Sequence, residues 1–575
     1  MEYCNPLNLN YKYQHFGDKA HREGADPTLL LFKGTYYLFV SMSAGFYYSD
    51  DLMHWNWHEN RSLDMYNYAP DVRQIGEYVY FCASDKGRPC TIWRSRDPLS
   101  DQWEKVSAPF DFWDPDLFCD DDGRVYLVWG SSNDQPIWGQ ELDAETMTPV
   151  GEKVGLYYGD KSRHGFERFN RPGKPKKKRP IKDAILHAYY FDIPGKPFLE
   201  GPFLNKLGGR YYLQYAAPDT EDAIYGDGYC VADSPLGPYT YAENSPFSSR
   251  VTGFLTGAGH GSIIEDKFGN LWHASTMCVC VNASFERRVG LFPCGVDADG
   301  LLFCNQHFAD YPVTVPEGKF DPMSLKPQFM LLSYRKPVIA SSAIPGHPAE
   351  LAADESIRTW WCAEGCAGEW LRMDLGKVYA VHSVQINFAD EGIRPLRMPP
   401  EDCAAPGPTA GRYVDSGKTL RTRWLLEGSL DGEDWFVLND QREAETDLPH
   451  PYIVLPEGTK LRYLRLTGIE RPYGSRLAIS GLRVFGLGDG AKPEQVKTVQ
   501  IKRKDRGMTA ILHWPESKGA IGYNVRVGVA PDKLYSSYQV YGENRVKILT
   551  LNAGQTYFFA VDAFNENGVM VGVVR

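Results

Sequence analysis

The sequence predicts an all-β protein whose first half is a five-bladed β-propeller. Three observations predict this. Helix-length apolar periodicity is nearly absent, and short runs of alternating aromatic and β-branched residues take its place, punctuated by Gly, Asp and Pro. Five such runs open on glycine: "GTYYLFVS" at Gly34, "GEYVYFCAS" at Gly76, "GRVYLVWGS" at Gly123, "GRYYLQYAA" at Gly209 and "GNLWHAST" at Gly269. Their steps are 42, 47, 86 and 60 residues, and the first two match the roughly 40–50 residues of a four-stranded blade. The longer steps require insertions.

The outer strands follow from a second pattern. "YYSDDLMHW" (47–55), "IWRSRDPLSDQW" (92–103) and "VADSPLGPY" (231–239) each give a strand, a turn and an aromatic. The inner strands precede the glycine runs and line the central channel. Asp26 lies 8 residues before Gly34, while Asp114, Glu200 and His260 each lie 9 before Gly123, Gly209 and Gly269. That common offset predicts that four distant residues share one pocket. Glu200, set among Phe198, Leu199 and Phe203, is otherwise a costly carboxylate to bury. Asp before Pro is also a common turn residue, so the shared offset, not any single acid, carries the expectation. Asp71, 5 residues before Gly76, reads as a structural strand-end residue.

Length, charge and cysteine usage bound the rest. The 575 residues exceed one ordinary core and imply two to four domains. A net charge of −11 argues against a nucleic-acid or anionic-membrane binder. No run of about 18 apolar residues offers a membrane span, and the start "MEYCNPLNLNYKYQ" lacks the basic and apolar regions of a secretory leader. The 12 Cys show no metal-type CxxC pair and read as small buried residues, not as a disulfide framework.

In order along the chain, "GADPTLLLFKGTYYLF", "SDDLMHW", "YAPDV", "WDPDLFCDDDGRVYLVWG", "EGPFLNKLGGRYYL" and "GHGSII" resemble glycoside hydrolase family 43 over roughly residues 20–310. These are five-bladed propeller enzymes acting mainly on arabinose- and xylose-containing polysaccharides. The resemblance implies inversion with three acids: Asp26 as general base, Asp114 as the carboxylate that tunes the acid, and Glu200 as general acid. It also implies that His260 helps hold a metal ion, often calcium, through water. No cofactor is required, so this ion is the one candidate. The chemistry agrees, since inversion needs a protonated carboxylic acid on one side of the sugar and an ionised carboxylate on the other. The resemblance places Tyr68 at a sugar platform usually held by Trp, and Arg288 on a sugar hydroxyl, with Arg287 as the alternative on the opposite strand face. Phe46, Trp113 and Trp138 are candidate apolar walls, with core packing as the alternative. The basic run "RPGKPKKKRP" at 171–180, ahead of the acid, reads as a solvated loop or as a pocket rim favouring a branched or uronate-bearing polysaccharide.

Residues 336–487, with "EWLRMDLGKVYAVHSVQINF" and "WLLEGSLDGEDWFVL", resemble a discoidin-type β-sandwich like the coagulation-factor type C domains. Trp360 and Trp361 are expected in its core. Residues 493–575, with Trp514 and a tyrosine corner at Tyr557, resemble a fibronectin type III sandwich. The predicted architecture is therefore a five-bladed β-propeller (1–335) followed by two β-sandwich domains. The expected activity is an exo-acting α-L-arabinofuranosidase, with β-xylosidase or β-galactosidase next. A non-catalytic glycan-binding protein is the rival, disfavoured by the complete acid set. The expected partner is a polysaccharide or oligosaccharide. Two appended sandwiches suggest the periplasm, cell surface or secretion.

Overall fold

The computed structural model describes residues 2–16, 19–60, 62–63, 68–84, 88–168, 196–279, 283, 285–393, 405–406, 412–414 and 419–575. The basic run at 171–180, Cys280 and Cys403 lie outside them. Among the described residues there is no α-helix, only strands and short 3-10 turns.

Five sheets of sequential antiparallel strands form the propeller. Blade one is Thr28–Phe32, Thr35–Phe39, Gly45–Ser49 and Asn56–Glu59. Blade two is Tyr68–Ile75, Tyr78–Ser84, Trp93–Ser95 and Glu104–Lys105. Blade three is Pro115–Cys119, Val125–Trp129, Ile137–Leu142 and Pro149–Tyr157. Blade four is Glu200–Leu207, Arg210–Ala217, Gly226–Ala232 and Thr240–Tyr241, extended by Ser248–Ser249. Blade five is Thr256–Glu265, Leu271–Cys278, Arg287–Val296 and Leu302–Cys304. Each glycine-aromatic run is the hairpin and second strand of one blade. Aromatic and aliphatic side chains fill the spaces between blades, as with Tyr36, Leu38, Trp272 and Leu291 between blades one and five.

Polar links also join neighbouring blades through their inner strands. Asp71 Oδ2 accepts from Leu117 N (2.8 Å), and Asp116 Oδ2 accepts from Leu204 N (2.8 Å). Thr28 Oγ1 donates to Pro70 O (2.7 Å). Ser262 closes the ring, donating to Pro27 O (2.8 Å) and accepting from Leu29 N (2.9 Å). Asp71 is thus a blade-to-blade tie, as expected of a structural residue.

The second domain is a nine-stranded assembly organised on the long strand Trp370–Phe388. Its first part pairs with Lys460–Glu470 and its last part with Ala478–Leu487. The register breaks between Asp374 and Tyr379, so one ribbon serves both layers. Trp361 is fully buried in the core, while Trp360 is half-buried against His347. The ladder also takes in Met330–Leu331, ahead of the expected start at 336, because that strand pairs with Phe485 and Gly486.

The third domain packs a three-stranded sheet (Gln500–Lys504, Thr509–His513, Arg545–Ile548) with a four-stranded one (Gly522–Gly528, Ser536–Tyr541, Phe558–Asn565, Gly568–Met570). Trp514 and Tyr523 meet edge to face in its core (5.1 Å). Tyr557 Oη accepts from Asn552 N (3.0 Å), the bond of a tyrosine corner. This domain grips the propeller through Gly165 N to Leu551 O (3.0 Å), Ala553 N to Arg163 O (2.7 Å) and Lys533 to Asp297 (2.8 Å). The ten described cysteines are all free thiols.

Candidate active site

Each blade carries a residue in the left-handed region in, or just ahead of, its inner strand: Asp26 (φ 54°), Ala69 (φ 52°), Asp114 (φ 49°), Gly201 (φ 53°) and His260 (φ 47°). Four are followed by Pro, Gly201 included, and the fifth by Gly261. Such backbone is strained for any residue but glycine and re-aims the side chain, as bulges beside active sites do. The alignment corrects one expectation. The position equivalent to Asp26, Asp114 and His260 is Gly201, and Glu200 enters one residue earlier, level with Tyr68 and Trp113. Gly201 is required twice over, since a Cβ there would lie 2.4 Å from the His260 ring.

A hydroxyl near the end of the preceding blade's second strand holds most of these residues. Thr276 accepts from Asp26 N (2.8 Å), Ser41 from Ala69 N (2.8 Å) and Ser84 from Asp114 N (2.9 Å). Blade four ends its run in Ala217, and Asp227 takes the task instead, accepting from His260 N (2.7 Å) and Gly261 N (3.1 Å). His273 is buried 3.2 Å from Asp227.

The three acids and His260 lie close together. Asp114, Glu200 and His260 each bring one ligand-type atom within 4.8 Å of the others, and His260 Nδ1 faces Asp26 Oδ1 at 3.2 Å. Burial pushes the Asp26 carboxyl up, but His260, Arg287 and the Ser41 hydroxyl (2.6 Å) outweigh it and hold Asp26 below the usual carboxylate range. Asp26 is therefore ionised. Burial, helped by Asp26 and Asp219, pushes Glu200 up to about 8 against the Tyr225 hydrogen bond, which draws it down. Tyr225 Oη donates to Glu200 Oε1 at 2.6 Å. Asp114 is raised by burial and then by the Glu200 charge, so the two carboxyls hold a proton between them at neutrality. Burial keeps the His260 imidazole neutral.

The remaining expectations divide. Tyr68 is half-buried at the register of Glu200 and acts on the Arg287 charge. Trp113 is half-buried beside Asp114 at the same register. Phe46 is not a pocket wall: it is fully buried between blades one and two, stacked on Phe39 (4.6 Å). Trp138 packs on the core between blades two and three, with Lys153 of the outermost strand over its ring (4.2 Å). Arg288 does not reach the channel. It points to the second domain, where its Nε donates to His450 Nε2 (2.8 Å). Arg287 faces the channel, 3.6 Å from Asp26 Oδ1 and bonded to Glu23 Oε1 (2.9 Å). Its buried Nη2 has no hydrogen-bond partner among the described residues.

Sequence reasoning missed Tyr225, Asp227 and Glu23, and gave Arg287 only as the alternative to Arg288. A signal existed for Tyr225 and Arg287. First and third strands of a blade run in the same direction, so residues opening a third strand lie at the pocket end, and these two flank the starts at Gly226 and Arg287.

A calcium ion bound directly by Asp114, Glu200 and His260 does not fit this donor set. Calcium takes six to eight oxygens, and an ion there would keep Glu200 ionised when its environment favours the proton.

An ionised carboxylate facing a protonated one in a propeller channel is the group set that acid–base cleavage of a glycosidic bond uses. Comparison with known proteins agrees: residues 21–302 match the model of glycosyl hydrolases family 43, and that part of the chain is a family 43 domain. A β-xylosidase of Xylanibacter ruminicola is 29% identical over 198 residues, 33% of this chain and 56% of that protein, so the match spans little more than half of the relative. A β-D-galactofuranosidase of Aspergillus niger is 22% identical over 280 residues, 42% of this chain and 69% of that protein. Among solved structures, a thermostable family-43 glycoside hydrolase overlaps 56% of this chain and 100% of its own at 22% identity, with a TM-score of 0.40.

Proposed function

We propose that the protein is an inverting exo-glycosidase, first an α-L-arabinofuranosidase, with β-xylosidase or β-galactosidase as the alternative. The observation that carries this is the split between Asp26, held ionised, and Glu200, pushed up to about 8 in the same pocket. Environments that drive two carboxyls apart assign base and acid. Asp26 takes the proton of the attacking water, with Arg287 balancing its charge. Glu200 gives its proton to the leaving oxygen, and Tyr225 then stabilises the carboxylate left behind. Asp114, beside Glu200, raises the acid's proton affinity.

The pentose preference is supported by related proteins named "Xylosidase/arabinosidase", from Humicola insolens and Bacteroides ovatus, each 27% identical over the matched region. A glycan-binding protein without activity has no use for a base held ionised against a protonated acid. Residence at the cell surface or in the periplasm is proposed on the strength of the appended sandwich domains. A panel of nitrophenyl glycosides (α-L-arabinofuranoside, β-D-xyloside, β-D-galactoside) tests the reading, with release from the first expected to be fastest. Folded protein that releases none of them would sink it. The first anomer seen by NMR should be inverted.

A further inference from the structure

Two residue doublets run between Asp26 and the second domain. Arg22 and Glu23 end the strand Lys19–Glu23, and Arg287 and Arg288 open the third strand of blade five. Consecutive strand residues point to opposite faces, so one member of each doublet turns to the channel and the other turns away. On the channel side, Glu23 holds Arg287 (2.9 Å) beside Asp26. On the far side, Arg22 is enclosed by two carboxylates of the second domain. Its Nε donates to Asp390 Oδ2 (2.7 Å) and its Nη2 to Asp447 Oδ1 (3.0 Å). Arg288 meets His450 (2.8 Å) and approaches Asp390 (3.9 Å). Arg22, Arg288, Asp390, Asp447 and His450 are each at most 1% exposed.

The backbone gives an independent sign. Among the described residues, Lys19–Glu23 pairs only with Lys12–Phe16, and the other neighbour of that strand is Arg412–Val414 of the second domain. The hairpin that leads into Asp26 is thus built into the second domain's side of the boundary. Tyr13 adds a hydrogen bond from its hydroxyl to Asp390 Oδ1 (3.0 Å). Buried ion pairs add little net stability over apolar packing, but they fix geometry.

We propose that the second domain is a working part of the catalytic site: Asp390 and Asp447 fix Arg22 and Arg288, and through the reverse faces of the same strands they hold Glu23 and Arg287 against Asp26. Asp390 is then a positioning residue 364 positions from the base it serves. The inference rests on Asp26 acting as base.

The test uses full-length variants on the fastest nitrophenyl glycoside. Asp390→Asn should lower kcat at least tenfold, with KM moving less than threefold. Glu23→Gln leaves every contact between the domains in place and should cause a similar loss. The double variant should lose little more than the larger single loss, because both act through one path. A lower melting temperature with kcat within twofold of wild type for Asp390→Asn would show a mere fastening and overturn the proposal. If Asp390→Asn fails to fold, Glu23→Gln decides alone, and kcat within twofold again overturns it. Asp26→Asn distinguishes the two levels. If it stays active, the base assignment fails and takes this proposal with it; if it is inactive while Asp390→Asn and Glu23→Gln are normal, only this proposal fails.

Discussion

Replacing Glu200 by glutamine removes the transferable proton while keeping the side chain's size and its contact with Tyr225. The structure sets what is at stake. Glu200 is raised from 4.5 to about 8, so its environment favours the protonated form at pH 7, where an ordinary glutamic acid is almost wholly ionised. The proton matters in proportion to how poor the leaving oxygen is. A sugar alkoxide needs it, and general-acid help of this kind contributes about 10²–10⁴-fold, or about 2.7–5.4 kcal/mol of barrier. A dinitrophenolate leaves unaided. Glu200→Gln should therefore lose about 10²–10⁴-fold on oligosaccharides yet stay within about tenfold of wild type on dinitrophenyl glycosides. Asp26→Asn should lose both alike, since the base activates water whatever departs. The assay is initial rates on the two substrate types for both variants. Equal losses for Glu200→Gln, or selective retention by Asp26→Asn, would refute the assignment of roles.

Other outcomes follow from the same geometry. The pH profile of kcat/KM should be bell-shaped, with an acidic limb below the usual aspartate value from Asp26 and a basic limb near 8 from Glu200. Tyr225→Phe removes a bond that favours the Glu200 carboxylate, so the basic limb should move to higher pH; movement to lower pH would contradict that contact. Gly201→Ala drives a Cβ into the His260 ring at 2.4 Å, and kcat should fall by about tenfold or more as His260 and Asp26 are displaced; a normal rate would show the ring free to move. Dialysis against EDTA should leave rate and melting temperature unchanged, and a loss restored by calcium would reveal an ion held through water at His260.

The blades were legible because each one repeats a glycine turn and an aromatic strand, and the acids were legible because they keep a nearly constant distance from that turn. Distance in sequence resolved the position only to within one residue. It paired Glu200 with Asp26, whereas the αL backbone and the following Pro pair Gly201 with it. "FERRVG" posed a harder question. Alternation says that Arg287 and Arg288 face opposite ways, but not which way, because that depends on where the strand enters the sheet. Phe46 and Trp138 failed as wall residues for a related reason: aromatic residues pack between blades as readily as they line a channel. Asp390 and Asp447 were out of reach altogether. Nothing local marks a carboxylate whose partner, Arg22, lies 368 and 425 residues away.

Ser41, Ser84 and Thr276 each hold the channel residue of the blade that follows, not of their own. A blade transplanted from a relative would therefore arrive with its catalytic residue resting on the host's hydroxyl, while its own hydroxyl supported a residue it had not evolved with. The heritable unit of this pocket is the seam between two blades. Recombination that cuts within a blade at the glycine hairpin, between its first and second strands, keeps hydroxyl and client together. Recombination at the loops between blades, where the sequence looks most divisible, separates them.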